Sequence, residues 1–217
     1  MVKKAAICLD LDGTLVSSEL AHVKAFQEAF TKNGYPKKSD KEISAKFGIP
    51  AMQIVNEFFP KAYPKDVIQI VKDKTHFFVT DTYRYAKQIP GVIEALNEIK
   101  DKFKLAIVTN SNMEEAKFLL KAAKLPEEFF DDIVTVEQVK KPKPYADVIK
   151  KVEKDLNTNV LYVVGDTVYD IKAGQAAGAK TVAVLSGHHS SEQLSSANPT
   201  YVIESVAVLP DLVFGRI

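Results

Sequence analysis

Residues 5–15 read AAICLDLDGTL, an apolar run that ends in two carboxylates, Asp10 and Asp12, one residue apart and followed by a glycine. A short apolar run of this kind is typical of a strand covered on both faces, as in parallel α/β sheets. Such sheets place their ligands at the carboxyl ends of the strands, where both aspartates would lie. The stretch therefore predicts a buried strand that delivers an acidic site.

The two aspartates allow a functional and a structural interpretation. Carboxylates this close repel each other, so a cation or a proton held by one of them must offset the charge. Oxygen ligands favour a hard cation such as Mg²⁺. An Asp-Gly turn with acidic flanks would carry the same residues without a function, and both interpretations stay open at this point.

Composition limits the classes of protein to which the chain can belong. Its 217 residues are enough for one large core, or for a core with a small inserted domain. With 46% hydrophobic residues and a net charge of +1, we expect a globular protein with neither nucleic acid nor membrane as partner. No apolar run reaches the roughly 18 residues of a membrane span, which favours a cytoplasmic location. Cys8 is the only cysteine, which excludes an internal disulfide.

Apolar spacing divides the chain into two regions. Helical spacing dominates residues 16–87, beginning with a pattern from Glu19 to Asn33 that stops at Gly34. After Pro90-Gly91 helical patterns alternate with short apolar runs, which we interpret as strands at 105–108, 133–136, 160–164 and 181–185.

The alternation predicts an α/β fold, a Rossmann-like parallel sheet with helices on both faces. The first strand must join this sheet, because an isolated strand leaves its backbone groups unpaired. The helical region is then an insertion. We therefore predict a catalytic core of residues 1–15 and 88–217, and an inserted all-helical cap domain of residues 16–87.

The chain has three further polar clusters. Two directly follow predicted strands, and one lies in a loop. Thr109-Asn110-Ser111-Asn112 precedes a predicted helix, where hydroxyls and amides suit either a phosphate or simple N-capping. Lys141 lies in the sequence KKPKP, which is either a solvated basic loop or a means to aim one lysine at the acidic site. Asp166 and Asp170 follow the strand at 160–164, and a helix starting near Thr167 would turn Asp170 back toward Asp166.

These residues resemble the four motifs of the haloacid dehalogenase superfamily, in the family's order. The motifs are Asp10-Leu-Asp12-Gly13-Thr14, Thr109, Lys141-Pro-Lys-Pro and Gly165-Asp166-Thr-Val-Tyr-Asp170. The helical insertion resembles the family's α-helical cap. The resemblance covers essentially the whole chain. Within the superfamily, the chain is similar to the phosphoglycolate phosphatase-like branch.

The resemblance implies a Mg²⁺-dependent phosphohydrolase that forms an aspartyl-phosphate on Asp10. It implies that Asp12 protonates the leaving oxygen and then activates water. Mg²⁺ would be held by Asp10, by the backbone carbonyl of Asp12 and by Asp166, with Asp170 in support. Thr109, Asn110 and nearby amides would bind the phosphoryl group, and Lys141 would neutralise charge beside Asp10. The expected partner is a small phosphorylated metabolite such as phosphoglycolate.

Within the superfamily, a hydrolase is favoured over other activities. The dehalogenases and the phosphonate-cleaving branch lack an acid at the position of Asp12. The β-phosphoglucomutase branch has a histidine at the place of His22, but it carries an arginine in the cap loop where this chain has Ala51. An inorganic pyrophosphatase, a β-phosphoglucomutase-type enzyme and a catalytically idle regulator that binds a phosphometabolite remain as alternatives. Oligomeric state has no signal in the sequence.

Substrate choice in this branch lies in the cap. We predict that the turn from Lys46 to Pro50, with Lys46 and Gly48 as contacts, faces the site when the cap closes. Arg84 is a second cap candidate. His188 and His189 are interpreted as loop residues without a role.

Overall fold

The computed structural model describes residues 4–217, whose centre is a six-stranded parallel sheet. In chain order the strands of the described residues are β1 (Ala6–Leu9), β2 (Val16–Ser17), β3 (Lys87–Gln88), β4 (Lys104–Val108), β5 (Asp132–Val134), β6 (Val160–Gly165), β7 (Lys180–Val184) and β8 (Tyr201–Ile203). Two short strands, β2 and β3, pair with each other outside the six-stranded sheet. The sheet order is β5-β4-β1-β6-β7-β8, with every pair parallel. This confirms the predicted fold class. The sequence patterns did not reveal β8, and β5 ends before residue 136 because residues 136–138 form a 3₁₀ turn.

The helices of the described residues surround this sheet or form the inserted segment. They are α1 (Glu19–Lys32), α2 (Asp40–Ser44), α3 (Ala51–Phe58), α4 (Pro64–Thr80), α5 (Val92–Ile99), α6 (Met113–Ala123), α7 (Asp147–Leu156), α8 (Val168–Ala177), α9 (Ser191–Ser196) and α10 (Leu209–Val213). Within residues 4–217, no helix combines the length and the apolar character that crossing a bilayer requires.

Side chains of β1 alternate between the two faces of the sheet, and each face is covered. Ile7 and Leu9 belong to the larger apolar cluster, which also contains buried residues of α5 and α6. Ala6 and Cys8 belong to a second cluster with the buried face of α7. Because both faces are covered, β1 is apolar at every position, and its first polar residue is Asp10 at its end.

Helices α1–α4, called the helical segment below, have an apolar cluster of their own. Phe26 and Phe30 of α1 pack there with Ile43 of α2, Ile54 of α3 and Ile70 of α4. The segment between 16 and 87 is not wholly helical, because β2 and β3 pair antiparallel at its two ends, Val16 with Gln88 and Ser17 with Lys87. The domain boundaries near residues 16 and 88 stay predictions.

Candidate active site

Three buried carboxylates meet at the carboxyl ends of β1 and β6. Asp10 directly follows β1, Asp166 directly follows β6, and Asp170 lies in the first turn of α8. Each offers an oxygen within 4.8 Å of an oxygen of the other two. Hard divalent cations prefer such oxygen donors, so this carboxylate cluster fits the kind of cation expected from the sequence. The Asp12 carboxylate is not a member of the cluster.

Close packing around the carboxylate cluster explains two local features of the sequence. Asp170 accepts hydrogen bonds from the backbone N–H of Thr167 at 3.1 Å and from its hydroxyl at 2.6 Å, and so caps α8. Gly13 has a φ of +77°, and a Cβ there would collide with the Asp166 carboxylate. The glycine after Asp12 is therefore required by both backbone conformation and space.

Lys143 supplies the positive charge inside this cluster. Its Nζ donates to Asp10 Oδ1 at 2.7 Å, to Asp170 Oδ1 at 2.6 Å and to the Val108 carbonyl at 3.0 Å. Burial alone would lower the pKa of Lys143, but the two carboxylates outweigh it and hold that pKa above its usual value. Lys143 is therefore a fixed cation between Asp10 and Asp170.

The expectation that Lys141 neutralises charge beside Asp10 is wrong. Lys141 is exposed, and its Nζ lies 5.2 Å from the ring centroid of Tyr145. The side chain of Asn110 explains the difference, because its amide binds the backbone of residue 143 on both sides, with Lys143 N–H at 3.1 Å and the Lys143 carbonyl at 3.1 Å. This clamp directs Lys143 inward. The sequence of the loop, with three lysines in four residues, does not indicate which of them faces Asp10.

The Asp10 carboxylate lies in an environment that disfavours its charge. Burial raises its pKa well above the usual range, and the neighbouring carboxylates of Asp170 and Asp166 raise it further. The Lys143 ammonium opposes this increase. The acids of this cluster outnumber the cations beside them, and a bound cation would correct this imbalance.

Asp12 has different surroundings from Asp10. Its Oδ1 accepts a hydrogen bond from Ser18 Oγ at 2.6 Å and lies 2.7 Å from His22 Nε2, while its Oδ2 accepts one from Ser111 Oγ at 2.8 Å. Burial would raise its pKa, but the charge and hydrogen bond of His22 with the two hydroxyl donors hold it below its usual value. The structure thus gives His22 a contact in the site, where sequence reasoning favoured an ordinary helix position.

A buried polar chain continues from His22 into the helical segment. Lys74 Nζ, on α4, lies 3.0 Å from His22 Nδ1 and 2.7 Å from Glu115 Oε2, on α6. Glu115 Oε1 also accepts from the Thr75 hydroxyl at 2.6 Å. These contacts link the helical segment to α6 through groups that are almost fully buried.

Sequence reasoning missed this pair, although a signal was present. Lys74 falls four residues after Ile70 and four before Phe78, on the buried face of α4. Glu115 falls four residues before Leu119 on the buried face of α6. A charged residue in a buried helical stripe requires a partner of opposite charge.

The loop after β4 is built as a turn around Thr109. Thr109 is buried, and its Oγ1 accepts from Ser111 N–H at 3.0 Å. Asn112, rather than Ser111, caps α6 by accepting from Glu115 N–H at 2.9 Å. Asn110 lines the cavity in front of the site, but its side-chain NH₂ is engaged with the carbonyls of Gly48 and Lys143. Its side chain therefore holds two loops together instead of facing a phosphate.

The turn from Lys46 to Pro50 reaches the site in part. Phe47, Gly48, Ile49 and Pro50 line the cavity, and Gly48 has a φ of +98°, with Tyr169 too close to admit a Cβ. Lys46 does not line the cavity, since its Nζ pairs with Glu57 at 2.7 Å. Lys46 therefore does not contribute to the cavity as the structure has it, and its contact with substrate on closure of the cap stays a prediction.

Arg84 likewise does not reach the site. Its side chain is 62% exposed and pairs with Asp81. Both long cationic side chains that the sequence suggested as contacts pair with acids outside the cavity, Arg84 with Asp81 and Lys46 with Glu57.

His188, to which sequence reasoning gave no role, contacts the carboxylate cluster. Its backbone N–H and its Nδ1 both lie 2.8 Å from Asp166 Oδ2. Burial lowers its pKa, but the bond and charge of Asp166 outweigh this and raise the pKa to about 9. His189 instead accepts from the Val168 N–H at the start of α8. The sequence does not indicate which of two adjacent loop histidines contacts Asp166 and which contacts α8.

We expect Lys74→Met to lower the free energy of unfolding by about 3–5 kcal/mol, because it leaves the Glu115 carboxylate buried without its partner. Lys72→Met is the matched control, since Lys72 is exposed on the same helix. Urea unfolding at neutral pH measures both. Equal stability of the two variants would contradict a buried pair.

The cost of Lys74→Met should also depend on pH. In the intact protein, Lys74 and His22 outweigh burial and hold the pKa of Glu115 below its ordinary 4.5. Its contribution is therefore complete above that pH and is lost as the pH falls through the lowered pKa. In the variant Glu115 is destabilising while charged and gains relief on protonation, so the difference from the intact protein should shrink on acidification.

Comparison with known proteins agrees with this geometry. The sequence model of the haloacid dehalogenase-like hydrolases matches residues 7–184. A protein of Caldanaerobacter subterraneus subsp. tengcongensis named "Putative pyrophosphatase PpaX" is 31% identical over 99% of this chain and 96% of its own length.

Two solved structures share the fold. A hydrolase from Pseudomonas syringae superposes with a TM-score of 0.85 at 24% identity, covering 97% of this chain and 99% of that one. A predicted phosphoglycolate phosphatase from Haemophilus somnus gives a TM-score of 0.84 at 19% identity, covering 98% and 99%. Since the sequence model spans most of the chain, this protein belongs to the haloacid dehalogenase-like hydrolase family.

Proposed function

We propose that this chain is a Mg²⁺-dependent phosphohydrolase that cleaves a small phosphomonoester through an aspartyl-phosphate on Asp10. The observation that carries the proposal is the Asp10 carboxylate itself. It ends the central strand of the sheet, lies 2.7 Å from the buried Lys143 ammonium, and lines a cavity. Phosphoryl transfer needs mainly positioning and charge stabilisation, which these groups supply.

The carboxylate cluster of Asp10, Asp166 and Asp170 would hold Mg²⁺, with the Asp12 backbone carbonyl as a further ligand. Bound there, Mg²⁺ offsets the negative charge of the acids and of the phosphoryl group. Lys143 holds Asp10 in place and neutralises part of the negative charge of Asp10 and Asp170. Thr109 lies on the cavity wall at the end of β4 and is the proposed hydroxyl donor to the phosphoryl oxygens.

Asp12 is the proposed acid and base of the two displacements. Asp12 and His22 both line the cavity, and their bonded atoms are 2.7 Å apart. Donors from Ser18, His22 and Ser111 fix its carboxylate, and the carboxylate form is the one that activates water in the second step. In the first step the proton for the leaving oxygen passes from Asp12, with His22 as the group that shares it.

Two alternatives each have an observation in their favour. A pyrophosphatase is favoured by the name of the relative that is 31% identical. A β-phosphoglucomutase-type enzyme is favoured by the contact of His22 with Asp12. Ala51, which lines the cavity where that branch has an arginine, argues for the hydrolase. A mutase would convert β-glucose 1-phosphate to glucose 6-phosphate faster than phosphate appears.

The proposal predicts phosphate release from a panel containing phosphoglycolate, pyrophosphate, sugar phosphates and nucleotides. Release should require Mg²⁺, stop on chelation, and be abolished by Asp10→Asn. Asp81→Asn is the matched control, since Asp81 is 59% exposed and, within residues 4–217, forms an ion pair with Arg84 alone. Full activity of Asp10→Asn, or no turnover of any substrate, would contradict the proposal and favour an idle binding protein.

Lys143→Met and Lys141→Met should separate the two lysines. Removing the ammonium at Lys143 leaves Asp10 and Asp170 unneutralised, and we expect kcat to fall by about 10²–10³-fold. Lys141→Met should retain the kcat of the intact protein, because its side chain lies outside the cavity lining. Steady-state phosphate release measures both, with circular dichroism to confirm folding. Loss of activity in Lys141→Met alone would reverse the assignment.

A further inference from the structure

The cavity in front of Asp10 has two chemically different walls. One wall lies at the edge of the six-stranded sheet and carries Asp10, Thr109 and Lys143. The opposite wall, from the helical segment, is largely apolar, and we call it the apolar wall. It is formed by the half-buried Val71 and Val79 and by parts of the buried Phe26, Phe47, Ile49 and Ile54. A phosphoryl group at Asp10 would therefore direct its ester substituent toward apolar side chains.

The size of the cavity exceeds the needs of a two-carbon substrate. Its volume is about 720 Å³. Pockets of roughly 300–1,000 Å³ enclose ligands of drug size. Because each water takes up about 30 Å³, a glycolate or phosphate leaving group would leave much of the space beside the apolar wall to water. Covering that wall with a larger apolar substituent removes the water and contributes binding free energy.

The buried charged groups around the cavity are already paired with one another. Lys143 is bonded to Asp10 and Asp170, and Lys74 is bonded to Glu115. His22 is bonded to Asp12, and His188 to Asp166. An anionic leaving group would have to break one of these buried pairs to find a cation, which costs more than it returns.

Charges at the rim are mixed in sign. Lys72 and His76 of α4 are exposed there, and so are the acids Glu114 and Glu137. Exposed charges of both signs are screened by water and salt, and they give little net attraction for an anion. Neither the buried ion pairs nor the exposed charges at the rim therefore favour a negatively charged leaving group.

We infer that the preferred substrate is a phosphomonoester of a neutral alcohol with an apolar body about the size of a ring, which packs on the apolar wall. This inference rests on the proposed phosphohydrolase function. It narrows the substrate class, with phosphoglycolate and pyrophosphate as the anionic comparisons. As an Asp10 oxygen bonds to phosphorus, the bond from phosphorus to the alcohol oxygen breaks and that oxygen takes up a proton from Asp12. Water, giving a proton to Asp12, then displaces phosphate from Asp10.

Benzyl phosphate and phosphoglycolate test the inference on the intact enzyme, since both are esters of primary alcohols and differ in the charge and apolar area of the leaving group. With saturating Mg²⁺, kcat/KM for benzyl phosphate should exceed that for phosphoglycolate and for pyrophosphate by at least about tenfold. A higher kcat/KM for either anionic substrate would overturn the inference while leaving the phosphohydrolase function intact.

A charge placed in the apolar wall should change the preference. Val71→Lys puts an unpaired ammonium in the wall, and Ile68→Lys, on the exposed side of the same helix, is the matched control. The ratio of kcat/KM for benzyl phosphate to that for phosphoglycolate should fall by about tenfold or more in Val71→Lys and stay unchanged in Ile68→Lys. An unchanged ratio in folded Val71→Lys would overturn the inference.

Binding of phosphonates that no phosphatase cleaves separates this inference from the proposed function. By calorimetry with Mg²⁺, benzylphosphonate should bind about tenfold or more tightly than methylphosphonate, because it adds apolar contact, and phosphonoacetate should gain nothing. This order without turnover of any ester would support the leaving-group subsite and reject the hydrolase. Tighter binding of phosphonoacetate would overturn the inference whatever the turnover.

Discussion

The Lys143 ammonium, buried between the carboxylates of Asp10 and Asp170, is the interaction on which the site depends. The acids gathered at the carboxyl ends of β1 and β6 and in the first turn of α8 would otherwise protonate or move apart, because burial and mutual repulsion both disfavour their charged forms. One cation fixed at 2.7 Å and 2.6 Å from two of them keeps the geometry but does not balance the charge. The remaining imbalance is what makes the cluster fit for a divalent cation and a phosphoryl group.

The sheet order explains why residues so distant in sequence meet there. β1 is central, with β4 and β6 on either side, and the three strands are parallel. Asp10, Thr109 and Asp166 each come directly after one of these strands, so they share one edge of the sheet. The helical segment is inserted in the chain between Asp12 and β4. This insertion places its apolar wall over that edge of the sheet.

The strand ends were predictable because apolar periodicity and an abrupt change to Asp or Thr are local signals. The parallel sheet followed from them, whereas the grouping of Asp10, Asp166 and Asp170 was implied by the resemblance to a known family. The choice between Lys141 and Lys143 was not predictable, because it depends on the Asn110 amide that clamps the backbone of residue 143 across 33 positions of sequence. The contact of His22 with Asp12 and the pairing of Lys46 with Glu57 likewise depend on tertiary placement.

The central claim is that Asp10 accepts the phosphoryl group before water does, and the stereochemical course at phosphorus tests it most directly. A phosphorothioate monoester made chiral with oxygen isotopes would be hydrolysed in water enriched in the third isotope. Each in-line displacement inverts phosphorus, so two displacements through Asp10 predict overall retention. Inversion would show direct attack by water and would contradict the account.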